Sequence, residues 1–283
     1  MNRLRWLRGA FVAAVVVAAQ LAFLAPASAH KHPTPVELDS PGVVFVETAA
    51  RVEVTVVEHN KSKVVPHVKI LPHAYTVVLK KGSGFAVDPT GDIVTSGDTA
   101  DVQLQLGEIY AVNRAFQAEY GIPMPSNPFA RHRPGDVRDG YLFSRLQQCY
   151  TKNRANEAGG CVIATTREIT VYPYVTSQPK YGNLPATLVK LATTPTGSVA
   201  VLKVTASTLP TVNLAKSAAG AQALSLLGFT GRPSDANPLQ QLQAHLVTKG
   251  ATQLAQDAEL PAVDQAVGKG LAGGPVIAES GQV

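Results

Sequence analysis

The chain is poor in several things that would define a function class at once. It has two cysteines, two methionines and one tryptophan in 283 residues, and only 16% of its residues are charged. After residue 29 no apolar stretch is long enough to cross a bilayer, which needs roughly 20 residues. That excludes a multi-helix membrane protein. No internal repeat and no low-complexity segment is present. The formal charge of +5 is concentrated at the N-terminus: without Arg3, Arg5 and Arg8, 22 basic residues face 20 acidic ones, a net charge of +2. So small an excess gives no basis for a nucleic-acid or anionic-surface partner.

What is present begins with an export signal. Arg3, Arg5 and Arg8 form a basic start, residues 10–24 are apolar apart from Gln20, and Ala27-Ser28-Ala29 is a small-residue cleavage pattern. Residues 1–29 are therefore expected to be a signal peptide, with an uncleaved anchor as the alternative. A secreted or extracytoplasmic location follows. There the two nearby cysteines, Cys149 and Cys161, are expected to form one disulfide closing a short loop, two buried free thiols being the other possibility. The mature chain, about 250 residues starting at His30, suits one two-lobed domain or two small ones. With 45% hydrophobic residues it can bury a sizeable core.

Residues 30–42 read as a loose polar leader. Short Val-rich runs follow at 43–46, 52–57, 75–79, 85–87 and 93–95, separated by turn-like segments such as Lys81-Gly82-Ser83-Gly84 and Asp88-Pro89-Thr90-Gly91. Many short strands without alternating long helices indicate an all-β barrel or sandwich. Between 101 and 120, Val102, Leu106, Ile109, Val112, Phe116 and Tyr120 recur at helical spacing, and Gly121 and Pro123 end the stripe. A Pro/Arg/Asp-rich loop and a weaker helix from Tyr141 to about Lys152 follow. The cysteine pair would tie that helix to the next strand. Strands resume at 168–174, 186–190, 199–204 and 223–229.

Three segments carry a resemblance. Residues 82–95, GSGFAVDPTGDIVT, are similar to the approach to the catalytic histidine in trypsin-like serine proteases of the bacterial HtrA/DegP type. Residues 198–204, SVAVLKV, resemble the strand that opens with their catalytic aspartate. Residues 268–276, GKGLAGGPV, resemble the nucleophile loop, whose usual form is Gly-Asn-Ser-Gly-Gly-Pro. The resemblance implies an all-β, chymotrypsin-like double antiparallel β-barrel with the site in the cleft between barrels. It puts the first barrel at 43–165, with a helical insertion over about 102–164, and the second at 166–283. The chain stops where the family continues with further strands, which implies a second barrel incomplete at its C-terminus.

The same matching replaces the whole catalytic triad. Asp98 stands at the histidine position, Ser198 at the aspartate position and Ala272 at the nucleophile, and residues 268–274 contain no Ser, Cys or Thr. Acyl transfer needs a nucleophile, an imidazole to take its proton and a carboxylate to orient that imidazole. Ala272 has no nucleophilic atom, and a carboxylate is too weak a base at neutral pH to replace imidazole. Losing a triad costs on the order of a millionfold in turnover. The backbone N–H groups of Gly270 and Ala272 would still form an oxyanion-hole-like feature, because Gly-x-x-Gly-Gly-Pro is kept. The reading is a pseudoprotease that binds a peptide or protein, in the inter-barrel cleft or on the insertion, with no cofactor and no metal. The alternatives are an active secreted trypsin-like endopeptidase using other residues and a structural envelope protein.

Other features carry less. His59, His67, His73, His132 and His245 lie in no segment that places them in the cleft. Asp98 is expected to cap the helix beginning near Asp101. His30-Lys31-His32, as a new N-terminus, has the donors for a square-planar Cu(II) or Ni(II) site, against the plainer reading of a flexible leader. Arg131, His132, Arg133, Asp136, Arg138 and Asp139 make either a solvated face or a partner surface. Asn60-Lys61-Ser62 fits a glycosylation sequon.

Overall fold

The computed structural model describes residues 33–59, 68–151, 160–174, 182–194, 197–206, 208–214, 223–234, 236–245 and 270–278. The signal peptide, the His30-Lys31-His32 segment, the 60–62 sequon and His67 lie outside the described residues, as do the side chains of His59 and His245.

A short helix α1 (Pro35–Asp39) and a 3-10 turn lead into β1 (Val43–His59), which pairs along its length with β2 (Val68–Asp88). β3 (Asp92–Ser96) follows through the Asp88–Gly91 turn, where the Asp88 carboxylate accepts the Thr90 N–H at 2.7 Å. α2 (Gly97–Ala100), α3 (Leu104–Tyr120) and α4 (Gly140–Thr151) interrupt the strands. Then come β4 (Cys161–Pro173), β5 (Leu184–Thr194) and β6 (Gly197–Val204). These six strands close an antiparallel barrel in the order β1-β2-β3-β6-β5-β4. β7 (Ala223–Gly228), β8 (Gln240–His245) and β9 (Val276–Ala278) form a three-stranded sheet, order β8-β7-β9. The all-β class and the helical insertion are as expected. No helix among the described residues is long and apolar enough to cross a membrane.

The boundary between the two halves needs correction. Residues 161–204 supply β4, β5 and β6, which close the first barrel, so that barrel extends well past residue 165. Alternation of apolar residues says that a strand exists, but it does not name the strand's partner.

β1 is the shared wall of three cores, and this explains its composition. Val44 and Val46 point into the barrel with Ile93, Val171 and Leu202. Val43 and Phe45, on the opposite face, pack on Leu227, Phe229 and Ile277 of the small sheet. A run buried on both faces is continuously apolar, as in Val-Val-Phe-Val. Farther along, Ala50, Val52, Val54 and Val56 alternate with Arg51, Glu53 and Thr55 and pack against Ala111, Val112, Ala115 and Phe116 of α3. Burial of a side chain such as Phe116, fully enclosed here, is worth roughly 1.5–3 kcal/mol.

α3 packs closer than its apolar stripe suggests. Leu106, a member of that stripe, is exposed, and the buried face runs through Gly107, Ala111, Val112, Ala115 and Phe116. A Cβ on Gly107 would lie 2.5 Å from the Ala50 Cβ, so glycine there sets the distance between helix and sheet. Gly121 ends the helix in the left-handed region, at φ 68°. The Cys149–Cys161 disulfide, with Cα atoms 5.1 Å apart, joins the last turn of α4 to the first residue of β4.

Candidate functional site

One concave site joins the barrel to the loop before β9. It is a cavity of about 520 Å³ lined by Val78, Leu79, Lys80, Lys81, Ser96, Asp98, Thr99, Thr230, Gly270 and Ala272. Asp98 lies in α2, directly after β3, and Gly270 and Ala272 lie in the turn before β9. Ser198, near the start of β6, donates its hydroxyl to the Asp98 carboxylate at 3.3 Å. Asp98, Gly270 and Ala272 thus line one cleft, from segments up to 174 positions apart in sequence, and Ser198 touches it through Asp98. Gly268 and Lys269 of the same loop lie outside the described residues.

The glycine pattern of the loop has a steric cause. Gly273 has φ +88°, and a Cβ there would sit 2.4 Å from the Ser96 N and 2.5 Å from the Ser83 O. Only glycine lets the loop thread this closely against β2 and β3. Ser83 completes the join. Its N–H donates to the Ala272 O at 2.9 Å, its hydroxyl donates to the Gly270 O at 2.7 Å, and it accepts the Phe229 N–H at 2.8 Å. The Thr95 hydroxyl donates to the Ser83 O at 2.6 Å. Ser83 is fully buried and its hydroxyl is engaged by loop and sheet backbone; its position makes it a fastener. Among the described residues no backbone acceptor takes the Ala272 N–H.

Lys81-Gly82-Ser83-Gly84 is therefore no turn but the interior of β2. A Cβ on Gly82 would meet the Thr99 Oγ1 at 2.4 Å and the Ala272 O at 2.9 Å, so the residue marks close approach rather than a change of direction. The capping role expected of Asp98 also fails: it sits inside α2, and the start of α3 at Gln103 has no side-chain cap. Lys80, Lys81, Thr99 and Thr230 line the cleft without having been singled out from sequence. Two consecutive lysines before Gly-Ser-Gly were the available signal.

None of the histidines with described side chains lines the cleft. His73 faces Glu119 of α3, Nε2 to Oε1 3.0 Å. His132 is buried in the insertion, 3.9 Å from the Asp136 carboxylate, and burial outweighs that carboxylate to hold its pKa below the ordinary value. The cleft also has a clamp behind it. Arg232, in the loop carrying Thr230, reaches the buried Glu47 of β1 at 2.7 Å and lies over the Tyr172 ring at 4.7 Å.

The charged loop of the insertion borders a second cavity of about 490 Å³, formed by residues between Pro123 and Asp136. Much of its charge has internal work. The Asp139 carboxylate accepts the Tyr141 and Leu142 N–H groups and caps α4. Asp136 accepts the Arg133 N–H at 2.7 Å, and Arg131 lies over the Tyr150 ring at 5.7 Å. Asn113, buried in α3, donates to the Pro128 and Ala130 carbonyls and accepts the Tyr150 hydroxyl. Burial raises the Tyr150 pKa to about 12, so that hydroxyl stays a donor.

No family model and no curated protein matches the chain. Among solved structures the chain is similar to the serine endoprotease from Yersinia pestis, at 14% identity and a TM-score of 0.42 over 88% of this chain and 54% of that one. It is also similar to Deg5, at 15% identity and a TM-score of 0.43 over 88% of this chain and 79% of that one. The chain spans about half the length of the Yersinia protein.

Proposed function

We propose that this protein is an exported, non-catalytic relative of the HtrA-type serine endopeptidases that holds an extended peptide or protein segment in its cleft. The observation that carries the proposal is the contact of Asp98 with Ser198 at one side of a cavity that Ala272 and Gly270 also line. In the resembling proteases those positions hold an imidazole, its orienting carboxylate and the nucleophile. Here they hold a carboxylate, a hydroxyl and a methyl group. The Gly-Leu-Ala-Gly-Gly-Pro loop keeps its close fit against β2 and β3, so the cavity is built while the groups that would transfer a proton or attack a carbonyl are absent from those three positions.

The cavity suits an extended chain. Among the described residues, β2 pairs only with β1 from Val78 to Lys81, and β3 joins its other edge at Gly84. Ser83 sends its N–H out of that second edge to Ala272. Strand geometry directs the N–H and C=O of Lys81, two residues back, to the same side, where a peptide backbone can pair with them. The disulfide agrees with an oxidising compartment.

The competing reading is an active endopeptidase recruiting another hydroxyl, for which Ser96, Thr99 and Thr230 are the lining candidates. Repurified mature protein incubated with labelled casein separates the two. The proposal expects uncleaved casein and retention of unstructured polypeptide on the immobilised protein. Hydrolysis that survives repurification and disappears in Thr230→Val, Thr99→Val or Ser96→Ala would replace it.

A further inference from the structure

We propose that the cleft selects acidic segments, through Lys80 and Lys81. The inference rests on the peptide-binding reading above and names the chemistry of the bound chain. In a regular strand successive side chains point to opposite faces, yet Lys80 and Lys81 are both exposed and both border the cavity. The cavity runs along the edge of β2, where the successive residues Val78, Leu79, Lys80 and Lys81 all line it, and a bulge lies just before the lysines. Thr48 pairs with Lys80 and Ala49 with Val78, leaving Leu79 as an extra residue on β2. A bulge bends its strand and re-aims the side chains beside it.

Among the described residues neither lysine has a carboxylate of its own. The residue cross-strand from Lys81 is Glu47, the natural partner for a cation at that register. Glu47 is buried, however, and already engaged by Arg232 at 2.7 Å. Among the described residues no ion pair involves Lys80 or Lys81. Asp98, the one carboxylate that lines the cavity among the described residues, accepts the Ser198 hydroxyl. Two exposed cations thus flank the unpaired edge of β2 against a single acid among the described residues. An extended chain pairing with that edge carries its side chains past both ammonium groups. Asp or Glu in the bound chain supplies the missing counter-charges, whereas Lys or Arg meets like charge. Because both lysines are solvated, the preference is screened by salt and acts on choice of partner more than on total affinity.

The test uses three decapeptides with blocked ends and an uncharged fluorophore, identical except that four positions carry Glu, Gln or Lys, bound to the full mature protein at low and high salt. The Glu peptide is expected to bind roughly tenfold more tightly than the Gln peptide at low salt, and the Lys peptide more weakly than either. High salt should compress the series. Lys80→Gln/Lys81→Gln should bring the Glu peptide to the level of the Gln peptide, and Lys80→Glu/Lys81→Glu should invert the order. Thermal melting of each variant, expected to match the natural protein, checks that the fold is intact. Equal binding of all three peptides overturns the charge selection and leaves peptide binding standing. A Glu preference that persists in Lys80→Gln/Lys81→Gln places the acidic site elsewhere and also overturns the inference. Binding of none of the peptides overturns the cleft reading itself, and this inference with it.

Discussion

The cleft and the helical insertion are held together in opposite ways. At the cleft, the loop before β9 is seated by absences: Gly82 and Gly273 leave room for Thr99, Ala272, Ser96 and Ser83, and one buried hydroxyl fastens the join. In the insertion, α3, the loop and α4 are held by added groups: a disulfide, the Asn113 amide, the Tyr150 hydroxyl and the Asp139 cap. The cleft should therefore break when atoms are added and the insertion when they are removed. The contrast also bears on function, because a shape defined by missing side chains survives loss of the chemical groups around it.

The largest effect is expected at Gly273. Alanine there meets the Ser96 and Ser83 backbone at a φ of +88°. Left-handed strain and overpacking together should cost about 4 kcal/mol, seen as a large fall in melting temperature and in peptide retention. Next comes the disulfide. Cys149→Ala/Cys161→Ala, with a separation of 12 residues, should lose about 3 kcal/mol in denaturant melts, and peptide retention should stay at its starting level if the two regions are independent. Asn113→Ala strips the Pro128 and Ala130 carbonyls of their donor and the Tyr150 hydroxyl of its acceptor; about 2 kcal/mol is expected. The smallest effect is a pH dependence from His132. Its folded pKa lies below the unfolded value of about 6.5, so the unfolded chain binds the proton more readily. Its contribution is intact above that pH and is lost as pH falls through the folded pKa. His132→Gln should flatten that part of the stability profile while leaving the cleft untouched.

Much of the architecture could be read from apolar spacing and cysteine placement. The Val-rich runs are barrel strands, the stripe that Gly121 closes is a helix, the weaker segment expected from Tyr141 to about Lys152 is the helix Gly140–Thr151, and Cys149 meets Cys161. The resemblance singles out Asp98, Gly270 and Ala272, which line one cleft, and Ser198, which contacts Asp98. What failed was legibility of partners. Gly-Ser-Gly at 82–84 looks like a turn because glycine has two uses, and only the Thr99 and Ala272 atoms crowding Gly82 reveal which applies. Leu106 fits the helical stripe yet faces solvent, because Gly107 on Ala50 fixes which side of α3 is buried. Residues 166–204 read as part of the second barrel because the helical insertion separates them from β3 in sequence but not in space. Lys80 and Lys81 both line the site because the cavity follows the edge of β2, which alternation alone does not announce.

The most direct measurement compares casein hydrolysis by the natural protein with that of Asp98→His/Ser198→Asp/Ala272→Ser. The Asp98–Ser198 contact places the restored imidazole and carboxylate within reach of each other, at a cavity the restored hydroxyl also lines. The account predicts no hydrolysis by the natural protein and measurable hydrolysis by the triple variant. Hydrolysis by the natural protein that survives repurification, at a rate the triple variant does not exceed, would contradict it.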